Sequence, residues 1–430
     1  MTAPSSFMDV PEPDWAQADA LFLSLHTSSF DGVGITRDSY GAGEQRAHDL
    51  LREHAELSGL QVSMDAALNL YITLPGRTPN TGVVMTGSHL DSVPRGGNYD
   101  GAAGVVAGLA ILSGWRKSGY QPEHDVTVMA IRAEESAWFP VSYVGSKAAF
   151  GLLPAQALQA TRADTGQTLS EHLTQLGGNP HSLATQVASL NPASINCFLE
   201  VHIEQGPVLI DAGVPLGVVS GICGSLRYRR ARALGFYAHS GATPRSHRRD
   251  AVVAVSQLVV TLQRLWQDLE HEGHELTVTV GQFATDPVQA DFSKVSGQVD
   301  FCIDLRSQQP LTLALMDERL QAAIGEISAE HGVIFELGER TQSTPGVMSG
   351  ELIADLQSAA QTTGLQTRCM PSGAGHDAAV FAGQGIDTAM LFIRNANGSH
   401  NPDEAMSIED FQAATRVLAT VLAQRASPAS

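Results

Sequence analysis

One stretch constrains this chain more than any other: Gly87-Ser88-His89-Leu90-Asp91-Ser92-Val93-Pro94-Arg95-Gly96-Gly97-Asn98-Tyr99-Asp100-Gly101-Ala102-Ala103-Gly104. The apolar run Val83-Val84-Met85 before it reads as a buried strand, and Val105 to Leu112 after it, rich in Ala and Gly, reads as a buried helix. His89 is therefore delivered to a strand end and Asp100 to a helix start, with a Pro/Gly loop between them. Glycine beside Asp100 lets backbone come close to whatever that carboxylate holds. Imidazole and carboxylate on such a loop suggest a divalent metal.

Other apolar runs end in the same kind of residue. Val126-Thr127-Val128-Met129-Ala130-Ile131 leads to Glu134-Glu135, Ile195 to Val201 leads to His202-Ile203-Glu204-Gln205-Gly206-Pro207, and Thr388 to Ile393 leads to Ser399-His400-Asn401-Pro402. Leu60 to Leu74 reads as two short strands, and residues 15 to 60 as helical with a break at Gly32 to Gly43. The loop Asp31 to Arg37 within that break could line a cleft. Strands alternating with helices predict an α/β fold with a mixed, largely parallel sheet. Open sheets of this kind gather ligands at the C-terminal ends of their strands, so residues far apart in the chain can share one rim.

From Gly224 the pattern changes to strand (Leu226 to Tyr237), helix (Asp250 to His271), strand (Glu275 to Ala284), strand (Gln298 to Arg306), helix (Leu311 to His331) and strand (Val333 to Leu337). A β-α-β-β-α-β unit closes as a small domain of its own. The expected organisation is a catalytic domain at 1–212 and 341–430, interrupted by a lid domain at 213–340.

The net charge of −19 argues against a nucleic-acid or anionic-membrane surface, both of which require clustered Lys and Arg. Met1 to Ala20 lacks a basic stretch followed by an apolar core, and no apolar run reaches spanning length. The four cysteines Cys197, Cys223, Cys302 and Cys369 form no CxxC pair, which suits reduced thiols and a cytoplasmic location.

His89, Asp100, Glu135, His202 and His400 offer enough donors for two divalent ions if Asp100 bridges them. Mixed imidazole and carboxylate ligation suits zinc, manganese, cobalt or nickel. Adjacent carboxylates at a strand end diverge, so one of Glu134 and Glu135 can ligate while the other moves protons. Spacing alone leaves open which does which.

Taken together, these blocks resemble the dinuclear metallopeptidase-like amidohydrolases of the hydantoinase/carbamoylase branch: N-carbamoyl-L-amino-acid hydrolases, β-ureidopropionases and allantoate amidohydrolases. His239-Ser240-Gly241-Ala242-Thr243-Pro244 and Pro371-Ser372-Gly373-Ala374-Gly375-His376-Asp377-Ala378 extend the resemblance over nearly the whole chain. It implies His89 and His202 on one ion, Glu135 and His400 on the other, Asp100 bridging, and Glu134 as general base. It further implies that Gln205 contacts a ureido group, His239 stabilises the oxyanion, Arg306 grips the substrate carboxylate, Gly375 and His376 line the substrate site, and the inserted domain forms a homodimer. Two departures stand out. Trp138-Phe139 replaces the usual Arg-Phe, and Ser293 stands where an asparagine would meet the substrate carboxylate. The expected activity is hydrolysis of an N-carbamoyl-L-amino acid or related ureido acid to ammonia and carbon dioxide. Allantoate, β-ureido acids, an aminoacylase or dipeptidase reaction, and a non-catalytic metal-binding relative are the alternatives.

Overall fold

The computed structural model describes residues 10–79 and 81–427 and contains two compact units. The first comprises Met1–Ser220, Val347–Met370 and His376–Ser430. Its sheet runs Gln61–Met64, Leu70–Leu74, Asp125–Ile131, Val83–His89, Ile195–Ile203, Thr388–Ile393, Leu216–Ile222. The central strands Asp125–Ile131, Val83–His89, Ile195–Ile203 and Thr388–Ile393 are mutually parallel, whereas the flanking pairs are antiparallel. The sheet is thus mixed and largely parallel. Thr388–Ile393 is buried at every position, as a strand covered on both faces must be.

Helix Ala102–Ser118 lies on this sheet, buried from Ala102 through Trp115, and ends at Gly119 in the left-handed conformation. Its small residues let it sit close to the strands, and Leu109, Leu112 and Trp115 share one buried core with Leu21, Leu25 and Leu51. The parallel register brings His89 level with Ile131, and His202 level with Phe392. Chemistry-bearing residues of three strands therefore reach the same edge.

The second unit comprises Gly221–Gly346 and Pro371–Gly375. Strand Gly224–Leu234 pairs antiparallel with Gln298–Ser307, Ile334–Glu336 and Arg340–Ser343. Along Gln298–Ser307 burial alternates strictly, with Val299, Phe301, Ile303 and Leu305 turned to the helices Ala251–His271 and Pro310–His331. Asp250 caps the first of these helices by accepting the Val252 and Val253 N–H groups.

Two expected strands differ from what forms. Glu275 to Ala284 divides into Thr277–Thr279 and Phe283–Thr285, because Thr279 pairs with Asp304 and Phe283 with Phe301, which leaves one extra residue on this side of the ladder between them. The strand expected to reach Tyr237 ends at Leu234, where Gly235 and Phe236 donate to Gly297 and Arg249 and carry the chain towards the helix start. Among the described residues no helix is long and apolar enough to cross a membrane.

Candidate metal centre

His89 is the last residue of its strand and is buried. Its Nδ1 donates to the Asp91 carbonyl at 3.0 Å, which leaves the Nε2 lone pair facing inward. His202 is arranged likewise, with Nδ1 donating to Ile203 O at 2.9 Å. The two Nε2 atoms lie 3.4 Å apart, and His202 Nε2 is 3.2 Å from Asp100 Oδ1. On the other oxygen, Asp100 Oδ2 is 3.2 Å from His400 Nε2, which is itself 2.9 Å from Glu135 Oε1. Ligand atoms of His89, Asp100 and His202 form one convergent group and those of Asp100, Glu135 and His400 another. Asp100 belongs to both, one oxygen to each.

Burial alone would raise the Asp100 carboxyl, yet His202 and His400 hold it well below the usual carboxylate range. Burial likewise opposes a charged His89, but Asp91, Glu134 and Asp100 hold its pKa well above the ordinary histidine value. Hydrogen bonds to Asp100 and Glu135 raise His400 to about 10. Two imidazole lone pairs aimed at each other among buried carboxylates require a cation between them. That donor chemistry fits divalent metal ions.

Glu134 and Glu135 follow a tight corner in which Ala133 takes φ 49°. Asp91 accepts both of their backbone N–H groups, at 3.0 and 3.2 Å, and Ser39 Oγ donates to it at 2.6 Å. With the corner so held, Glu135 meets His400 while Glu134 is buried, its carboxyl pushed well above the ordinary value chiefly by desolvation. Gln205, at φ 66°, donates from Nε2 to Asp100 Oδ1 at 3.0 Å. The Asp100 carboxylate can only accept, so it fixes the amide orientation. Gln205 Oε1 is then a buried acceptor without a protein partner. His376 packs edge-on against His202 with centroids 4.5 Å apart, and with Glu200 and His202 forms a further buried group.

In the second unit, His239 Nδ1 accepts the N–H groups of Gly241 and Ala242, each at 3.1 Å. Its proton therefore sits on Nε2, available as a donor. His239 pairs with Lys294 across a short ribbon in which Ser293 Oγ donates to Asp291 at 2.7 Å and Phe292 is 99% exposed. Arg306 donates through Nε and Nη2 to Asp304 Oδ2 and through Nη1 to Gly373 O, two residues before Gly375 in the chain. Trp138 lies in the first unit, largely buried, and donates to Ser92 O at 2.7 Å with the Arg162 guanidinium 4.9 Å over its ring.

Sequence reasoning passed over Glu200, which accepts from Ser88 Oγ and Ala378 N, and Glu404, which accepts from Tyr99 N and Asp100 N. Both act on backbone or hydroxyl groups, which leave no motif. For Glu404 a signal existed in its position shortly after Ser399-His400-Asn401-Pro402.

The family described as "Peptidase family M20/M25/M40" matches residues 85–424. An N-carbamoyl-L-amino acid amidohydrolase of Geobacillus stearothermophilus is 34% identical over 387 residues, 90% of this chain and 92% of its own. An allantoate amidohydrolase of Escherichia coli is 33% identical over 396 residues, 91% of this chain and 93% of its own. Among solved structures, an amidase of the hydantoinase/carbamoylase family from Burkholderia multivorans superposes with a TM-score of 0.86 at 28% identity, covering 97% of this chain and 99% of its own.

Proposed function

The chain belongs to peptidase family M20/M25/M40, and from that membership we propose that it hydrolyses the carbamoyl C–N bond of an N-carbamoyl-L-amino acid or related linear ureido acid. The family is metal-dependent, and amide C–N hydrolysis is its relatives' chemistry. His89 and His202 would hold one ion and Glu135 and His400 a second, with Asp100 between them; zinc, manganese, cobalt and nickel suit these donors. Such ions, when bound, polarise a carbonyl and ease the ionisation of water.

The observation that supports a ureido substrate is Gln205. Its Oε1 is a buried acceptor at hydrogen-bonding reach of a group beside Asp100, and a terminal carbamoyl NH2 is a donor of the right kind. Glu134 takes a proton from the attacking water and passes it to the departing nitrogen. One C–N bond breaks, and the carbamic acid fragment loses carbon dioxide, so amino acid, ammonia and carbon dioxide account for every atom. His239 donates from Nε2 to the oxyanion, and Arg306, oriented by Asp304, serves the substrate carboxylate. Ser293, Gly375 and His376 are assigned with Arg306 to the substrate site, and the Ser293 hydroxyl donates to Asp291. The homodimer is assigned to the second unit, and the location to the cytoplasm.

The test is ammonia release by protein loaded separately with manganese, cobalt, nickel or zinc, against N-carbamoyl-α-amino acids, N-carbamoyl-β-alanine and allantoate. Release from a carbamoyl amino acid, reduced about 10- to 100-fold in Gln205→Ala, is expected from the loss of one buried hydrogen-bonding group. Amino acid released instead from N-acyl or dipeptide controls, without ammonia from any ureido compound, would overturn it.

A further inference from the structure

Arg37 is wholly buried, and its hydrogen bonds go to backbone and amide oxygens and not to a carboxylate. Nε donates to Leu90 O at 2.7 Å, Nη1 to Asn98 Oδ1 at 3.3 Å, and Nη2 to the carbonyls of Asn98 and Asp100, each at 3.4 Å. The guanidinium thus spans both ends of the loop that carries Asp100. A buried cation of this kind is costly unless something nearby balances it.

The balance lies on the opposite side of the same backbone. Glu404, also buried, accepts the Tyr99 N–H at 2.9 Å and the Asp100 N–H at 3.2 Å on Oε1. The peptide unit joining Asn98 to Tyr99 therefore points its carbonyl at a cation and its N–H at an anion, and its dipole is aligned between them. A side chain on Gly97 would stand 2.1 Å from the Glu404 carboxyl, so glycine is what lets the carboxylate reach these N–H groups. Glu404 Oε2 also lies 2.7 Å from Ser399 Oγ, which is 3.0 Å from Asp100 Oδ2. Ser399 has one proton for these two carboxylates, and it precedes His400 in the chain. A single carboxylate thereby joins the loop of Asp100 to the loop of His400.

We propose that Arg37 and Glu404 are a coupled pair of positioning residues that clamp the Asn98–Asp100 backbone between opposite charges and so aim the Asp100 carboxylate at both donor groups. The inference rests on the reading of those groups as a metal centre.

The experiment is a double-mutant cycle of Arg37→Met, Glu404→Ala and the double variant. Manganese affinity is read by chelator competition, and kcat and KM on an N-carbamoyl amino acid. Each single variant is expected to weaken manganese binding and lower kcat by about 10- to 100-fold, as supporting residues of metal sites do. KM stays within about threefold, and the double variant is no worse than the more damaging single, because either loss already frees the peptide unit. If Arg37→Met does not fold, Arg37→Lys with Glu404→Gln completes the same cycle. Effects that multiply, or variants that melt earlier while manganese affinity and kcat hold, would overturn the clamp alone. A parent protein that neither binds manganese nor releases ammonia would overturn the metal-centre reading with it.

Discussion

Asp91 Oδ1 accepts the Glu134 backbone N–H at 3.0 Å, and the same oxygen lies 3.3 Å from His89 Nδ1. Orientation of one imidazole and of the Glu134-Glu135 corner thus depends on one carboxylate. In Asp91→Ala two largely buried N–H groups lose their acceptor, which costs about 1–3 kcal/mol for each group left unpaired. Metal affinity falls by about 10- to 100-fold, since an outer partner of a ligand is lost. Urea unfolding and metal analysis of the dialysed variant check both figures.

Glu134→Gln separates binding from turnover. Glu134 is held through its backbone N–H, and both ligand groups are complete without its side chain. The variant should therefore keep its metal content and lose about 10²- to 10⁴-fold in kcat, the range of a positioned general base. Turnover equal to the parent at full metal content would remove Glu134 from the proton-transfer role.

Gly101→Ala tests how closely backbone and ligand fit. Gly101 sits at φ 65°, and a Cβ there would meet the His89 ring at 2.6 Å. Left-handed strain costs about 1–3 kcal/mol, and the clash falls on a ring that cannot turn without releasing Asp91. Loss of metal affinity together with a lower urea midpoint is expected. A variant that is less stable but binds metal as the parent does would show that the ring accommodates the methyl group.

Thiol reactivity should follow burial. Desolvation pushes the Cys197 and Cys223 thiols up to about 12, so at pH 8 only roughly one in ten thousand is thiolate. Cys369 is exposed. Timed alkylation at pH 8, read by peptide mass, should label Cys369 well before Cys223, and Cys197 only on denaturation. Raising the pH towards 10 speeds the slow pair, because their thiolate fraction is still rising there. Early labelling of Cys197 would contradict its burial.

Much of the site could be read from one dimension because its members share a grammar: an apolar β-branched run followed by a ligand-type side chain. His89, Glu135 and His202 obey it, and parallel pairing turns the shared pattern into a shared rim. What escaped reading was the support beneath. Arg37, Glu200 and Glu404 work through backbone or hydroxyl groups, which give their side chains no motif of their own. The expected Glu275 to Ala284 strand divides at its own Val280 to Gln282, where pairing of Thr279 with Asp304 and of Phe283 with Phe301 leaves one residue extra, a matter of register that composition does not mark.

Thr388–Ile393 lies in the sheet between Ile195–Ile203 and Leu216–Ile222. A ribosome builds the chain in sequence order, so both neighbours wait with an open edge until Thr388–Ile393 has been made, and His400 emerges after that. The nascent protein thus carries exposed strand edges from the making of Leu216–Ile222 to that of Thr388–Ile393, a period in which misassembly is easy. A message truncated before residue 388 would yield a chain with its sheet still split and no complete donor set, a product suited to degradation and not to partial activity.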